Sequence, residues 1–155
     1  MKTSNIKKNV AVIFFTMIVA SVSAQENFLK KFENVNDVTS VYVSKSMLGL
    51  MSSYNSFGVK VGSIVSKLDN IQILAAEDEK SAKTLKNDFK VIMQNGRYES
   101  IMTVNEKGEN TNIYMKKFSH GTCQFILLNT SKGETSIIVL TGKITINDIK
   151  NVTCK

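Results

Sequence analysis

The chain has 155 residues, with 20 Lys plus Arg against 13 Asp plus Glu, one His, two Cys, and neither Pro nor Trp. That length suits one domain, and a hydrophobic content of 43% supplies a packed core and excludes wholesale disorder. Two cysteines and one histidine exclude a disulfide-dense scaffold, a four-cysteine zinc site and any centre built on two imidazoles.

Residues 1–24 read as a secretory signal peptide. Lys2, Lys7 and Lys8 form a positive n-region, Val10 to Ala20 an apolar h-region, and Val22-Ser23-Ala24 a cleavage site. The alternative is an uncleaved N-terminal anchor, but a span takes about 20 apolar residues and this run is shorter. Loss of the three lysines leaves 17 basic against 13 acidic residues from Gln25 onward, a net charge of +4 rather than +7. The basic excess is thus partly an export signal, and nucleic acid is not an expected partner. The expected location is exported, periplasmic or secreted after cleavage near Ala24, with no transmembrane helix in the mature chain.

From Asn27, residues Phe28, Leu29, Phe32 and Val35 fall at helical spacing. Val38 to Ser44 is β-branched and aromatic and predicts a strand buried on both faces. Lys45 to Met51 switches to helical spacing, with Met47 and Met51 expected in the core or, alternatively, exposed on a helix that docks a partner. Ser52 to Gly58 is loop, Val59 to Leu68 a second short helix ended by Asp69-Asn70, and Ile71 to Ala75 a strand. A long helix follows from about Asp78 to Gln94. Acids at its start suit the helix dipole, and Ala82, Leu85, Phe89, Ile92 and Met93 share one face. Asn95-Gly96 reads as its left-handed stop. Strands are predicted at 98–104, 111–118, 124–129 and 135–141, with hairpin loops at Asn105–Asn110 and Thr130–Glu134. Thr145 and Asp148 have capping-box spacing and open a last short helix.

This order predicts an α+β fold for 25–155 as a single domain. It is a two-layer sandwich with a mostly antiparallel sheet, a C-terminal four-strand meander and helices packed on one face. The last hairpin is the most apolar and belongs at the sheet centre. Alternate residues of the hairpin around Gly108 are polar, so one face there should meet solvent.

Four runs carry a family resemblance: Val41 to Leu48 (VYVSKSML), Ile71 to Leu74 (IQIL), Tyr114-Met-Lys116 after a GE-containing turn, and Val139 to Ile149 (VLTGKITINDI). In that order they resemble the exported Bacteroidetes proteins grouped as domain-of-unknown-function family 4252, over about Phe28 to Val152. The resemblance implies a bacterial envelope or secreted protein and carries no activity, hence no functional residues. Many such members are lipid-anchored; this chain lacks the cysteine that an anchor after the h-region needs.

Cys123 and Cys154 are a candidate disulfide, closing a loop of 32 residues and adding roughly 3–4 kcal/mol in the chain-entropy model. The alternative is two unrelated thiols. His120 and Cys123 have metal-like spacing, but a closed site wants four ligands. As a nucleophile pair they share one loop, where catalytic dyads stand on separate rigid elements. Ser44 and Lys45 leave a strand in opposite directions, which favours helix capping by Ser44 over a Ser–Lys nucleophile. Phosphate-loop, dinucleotide, zincin and CxxC patterns are absent from the sequence, so no cofactor and no metal is implied. Tyr42, Tyr54, Tyr98 and Tyr114 are spread as core and edge residues, and the glycines sit singly as at turns.

Lys83, Lys86 and Lys90 line one flank of the long helix. They read either as an anion-binding stripe or as a solvated helix flank. The sequence therefore favours a non-catalytic binding or interaction domain whose partner is an envelope protein or other envelope component. The alternative is a small hydrolase or redox enzyme using Cys123 or an unrecognised carboxylate pair. A pocket gathering His120, Cys123 and a carboxylate would favour the enzyme.

Overall fold

The computed structural model describes Phe32, Val35, residues 37–50 and residues 64–153. The signal segment, the loop at 52–58, Met51, Tyr54 and Cys154 lie outside the described residues, as do the helix expected from Asn27, apart from Phe32 and Val35, and the first half of the Val59–Leu68 helix, residues 59–63. Val35–Lys155 forms one compact unit. Its six strands are β1 (Val38–Ser44), β2 (Leu68–Ala76), β3 (Glu99–Glu106), β4 (Glu109–Lys117), β5 (Cys123–Ser131) and β6 (Glu134–Gly142). They form a single sheet of order β1-β2-β6-β5-β4-β3, and every neighbouring pair is antiparallel. Among the described residues three α-helices accompany it: α1 (Lys45–Leu50), α2 (Glu79–Gly96) and α3 (Ile146–Thr153).

The fold is α+β, with the apolar β5–β6 hairpin in the two middle positions of the sheet. Single-face coverage is not what the packing shows. Val43, Ile71, Ile113, Met115, Phe125 and Leu140 cluster with Leu48, Ile64, Val65, Ile144 and Ile149, residues of α1, α3 and the connections. Alternation along a strand puts the neighbours of these residues on the opposite face. That face carries Leu74, Ile126, Leu128, Ile137 and Val139 and receives α2, which lies against β2 and β6 and buries Ala82, Leu85 and Phe89. A strand such as Ile137-Ile-Val-Leu140, apolar at every position, must be covered on both sides.

Other boundaries shift for physical reasons. β1 is an edge strand, so Val43 is buried while Tyr42 on its other face is 58% exposed. Met47 is likewise exposed rather than in the core. Asp69 and Asn70 do not end a helix but lie inside β2, which begins at Leu68; Val65–Lys67 is a 3-10 turn. Gly142 allows this early start: a Cβ there would sit 2.2 Å from the Lys67 carbonyl oxygen, which instead accepts from Lys143 N at 2.8 Å. The left-handed residue closing α2 is Arg97 (φ 55), not Gly96. Gly96 is needed for space, since a Cβ there would lie 2.4 Å from the Tyr98 ring. The β3–β4 loop contracts to Lys107-Gly108, both at positive φ, the geometry of a tight two-residue hairpin turn.

The caps follow the expected chemistry. Asp78 caps α2 by accepting from Ser81 N at 3.0 Å, and that bond holds its carboxyl below the usual carboxylate range. Thr145 N donates to Asp148 Oδ2 at 2.8 Å, and Asp148 N donates back to Thr145 Oγ1. Lys67 Nζ, 2.7 Å from Asp148 Oδ1, together with Thr145, pulls the Asp148 carboxyl down to about 2.

Candidate functional site

The helix that crosses the sheet leaves a groove along one side. Phe89 projects from α2 onto β4, where its ring meets Tyr114 edge-on with centroids 5.8 Å apart. Tyr114 stands beside Ile126, and Asn112 beside Leu128, so these side chains share the α2 face. Phe89, Met93, Tyr114 and Leu128 make the apolar part of a cavity of about 530 Å³; Lys86, Asn87, Lys90, Gln94 and Asn112 make the rest. A second cavity of about 400 Å³ lies toward the hairpin turns, bordered by Lys83, Lys86, Lys132, Asn110, Thr130, Glu79 and Glu134 among others. Lys86 borders both.

The three lysines singled out by their spacing are therefore all exposed, and together they edge these two cavities. Among the described residues the ion pairs are Lys45–Asp69 at 2.9 Å and Lys67–Asp148 at 2.7 Å. Neither involves Lys83, Lys86, Lys90 or Lys132, so four ammonium groups face this side with their charge uncompensated by a contact. A larger cavity, about 770 Å³, lies at the start of α2 but is edged by Asp37, Glu77 and Asp78 and has the opposite sign. The charged groups edging this cavity are thus opposite in sign to the lysines of the α2 flank.

Asn112 is held by its neighbours: Thr103 Oγ1 donates to its Oδ1 at 2.8 Å, and its amide donates to Asn110. At the other end of the same sheet face, Tyr98 Oη donates to Gln124 Oε1, and Gln124 Nε2 donates to Thr141 Oγ1 at 3.1 Å. Lys116 Nζ lies 5.3 Å from the ring centroids of both Tyr98 and Phe118. Burial pushes the Tyr98 phenol up from 10.0 to about 12. Because the folded state holds this proton more tightly, the stability it contributes is present below pH 10 and is lost as pH rises toward about 12. Tyr98→Phe leaves the buried Gln124 carbonyl without its donor and should cost about 1–3 kcal/mol at neutral pH. In melts followed by circular dichroism, the gap between parent and variant should narrow as pH climbs through that window.

The other candidates are not brought together. His120 is exposed in the 3-10 turn Ser119–Gly121, at φ 59. Cys123 is half-buried at the head of β5, beside a cavity of about 510 Å³. Among the described residues that cavity is lined by Met115, Lys117, Gly121, Lys143 and Ile144 to Asn147, and neither His120 nor a carboxylate is one of them. Ser44 Oγ accepts from Met47 N at 3.4 Å, at the start of α1, and Lys45 turns away to Asp69. Among the described residues no group of three or more His, Cys, Asp or Glu side chains could hold a metal ion. Among them, too, no helix is long and apolar enough to cross a membrane.

Residues 32–152 match a family model described as Domain of unknown function (DUF4252). The chain belongs to this family. No curated protein and no solved structure matches it. The DUF4252 chain thus has its site described by its own geometry. Lys132, Asn110, Asn112, Leu128 and the Phe89–Tyr114 pair were not visible as site residues from local spacing. The available signal was the alternation Asn112, Tyr114, Lys116 along β4, which places amide, ring and amine on one face.

Proposed function

We propose that this DUF4252 protein is an exported, non-catalytic binding domain of the bacterial envelope, and that it takes a negatively charged partner on the lysine flank of α2. The observation that carries the reading is the course of Lys83, Lys86 and Lys90 along two adjoining cavities, unpaired and beside an apolar floor. Unpaired cations at the rim of a concave apolar surface are the arrangement that draws in an anion and then holds a ligand. The test is a variant carrying Lys83→Gln, Lys86→Gln and Lys90→Gln. Each change lies on the exposed surface and should alter stability by less than about 0.5 kcal/mol. Immobilised parent protein should capture anionic material from a native envelope extract at low salt and release it at high salt. The triple variant should capture little. Equal capture by both would refute the reading.

Export is the second part of the proposal, supported by the n-region, h-region and cleavage site in order at residues 1–24. An oxidising compartment would let Cys123 and Cys154 pair. Intact-mass analysis of secreted material should show a chain beginning at Gln25, and alkylation without reductant should label neither cysteine. A full-length chain, or two labelled cysteines, would contradict the respective claim.

A further inference from the structure

The cavity between α2 and the β4–β5 strands has a composition narrower than a general anion site requires. Among the described residues its polar lining consists of two ammonium groups, Lys86 and Lys90, and the amides of Asn87, Gln94 and Asn112, with no carboxylate. Its apolar lining is contiguous: Phe89 and Tyr114 meet edge-on, and Met93 and Leu128 line the same cavity. At about 530 Å³ it falls in the range of small-molecule pockets, roughly 300–1,000 Å³. A polyanion such as an acidic glycan would satisfy the lysines and leave the accessible parts of Tyr114 and Met93 wet. A neutral lipid would cover the wall and leave the amines unused.

From this we infer that the ligand of the groove is a monomeric long-chain carboxylate. Its head sits against Lys86 and Lys90, and its alkyl chain lies over the half-buried Tyr114 and Met93, with the buried Phe89 and Leu128 completing the lining. Carboxylate and ammonium make a charge-assisted hydrogen bond at the mouth. The chain removes apolar surface of both partners from water along the wall. Met93 suits such a wall because its unbranched thioether adapts to chains of different length. The inference rests on the anion-binding reading of the lysine flank and specifies its ligand.

Calorimetric titration of the whole protein with sodium octanoate, decanoate and dodecanoate, each below its micelle concentration, tests it. Affinity should tighten with length by up to about fourfold per methylene, the gain expected when each added CH₂ is buried. The double variant Lys86→Gln, Lys90→Gln should bind dodecanoate at least tenfold more weakly. Dodecanol should bind parent and variant alike, since it has no charge to lose. Hexaglutamate serves as the tail-less anion. If hexaglutamate binds at the flank while dodecanoate gives no heat up to its solubility limit, the carboxylate-amphiphile inference fails and the anion-binding reading stands. If neither binds, both fail. Equal dodecanoate affinity in parent and double variant would also overturn the inference, because the head would then not be held by these lysines.

Discussion

Phe89→Ala is expected to lower the unfolding free energy by roughly 3–5 kcal/mol. The ring is 1% exposed, sits at the centre of the buried stripe of α2 between Leu85 and the half-buried Ile92 and Met93, and stacks edge-on against Tyr114. Alanine removes the apolar area of the ring from the core and leaves a void that the helix and sheet can only partly close. Unfolding free energies of domains of this size run at about 5–15 kcal/mol, so the loss is a large share of the total. Phe89→Leu, which keeps most of the volume, should recover much of it. Chemical denaturation of parent and both variants reads the effect; a parent-like midpoint for the alanine variant would mean that α2 does not pack as described. The same ring lines the groove from within the core, so on the proposed function a variant that stays folded should also bind dodecanoate more weakly.

Gly142→Ala should be the most damaging change of a single methyl. The added Cβ would meet the Lys67 carbonyl oxygen at 2.2 Å and the Leu68 Cα at 2.7 Å, both backbone atoms that cannot swing aside. Gly142 also pairs with Cys123 on its other side, so β6 is held between two neighbours and cannot retreat. Overpacking of interiors usually costs about 1–3 kcal/mol, and a backbone-to-backbone clash belongs at or above the upper end. The hydrogen bond from Lys143 N to Lys67 O, which ties the start of β2 to the exit of β6, would be lost or lengthened. Hydrogen exchange of the Lys143 amide, alongside the melting temperature, checks this. Unchanged exchange and melting would show that the close approach is absent in solution.

Local chemistry made part of this fold legible. The β-branched run Val38 to Ser44 is the observed β1 to the residue, and the Thr145–Asp148 pairing is visible as spacing before any helix is seen. Ser44 as a cap needs only its position before Lys45. Coverage of both sheet faces was also encoded, in the unbroken apolar run Ile137 to Leu140, but that run describes a buried strand without naming what covers it. Gly142 and Gly96 are glycines for reasons of space that depend on residues elsewhere: Lys67 lies across the sheet, and the Tyr98 ring folds back on the helix end. The groove shows the same division. Its lysine rim follows from helical periodicity alone, whereas its floor needs the cross-strand register that sets Tyr114 beside Ile126 and Asn112 beside Leu128, and no spacing within one segment carries that register.

On the proposed function, an anion settles on the flank of α2, above the β4–β5 strands. A backbone-amide chemical-shift map of the isotope-labelled protein, titrated with hexaglutamate at low ionic strength, tests it most directly. The largest shifts should fall between Lys83 and Lys90 and around Asn110 to Asn112 and Lys132, and they should vanish in the triple lysine-to-glutamine variant. Shifts centred on β1 or on the Cys123 cavity, or an unchanged map in the triple variant, would contradict the account.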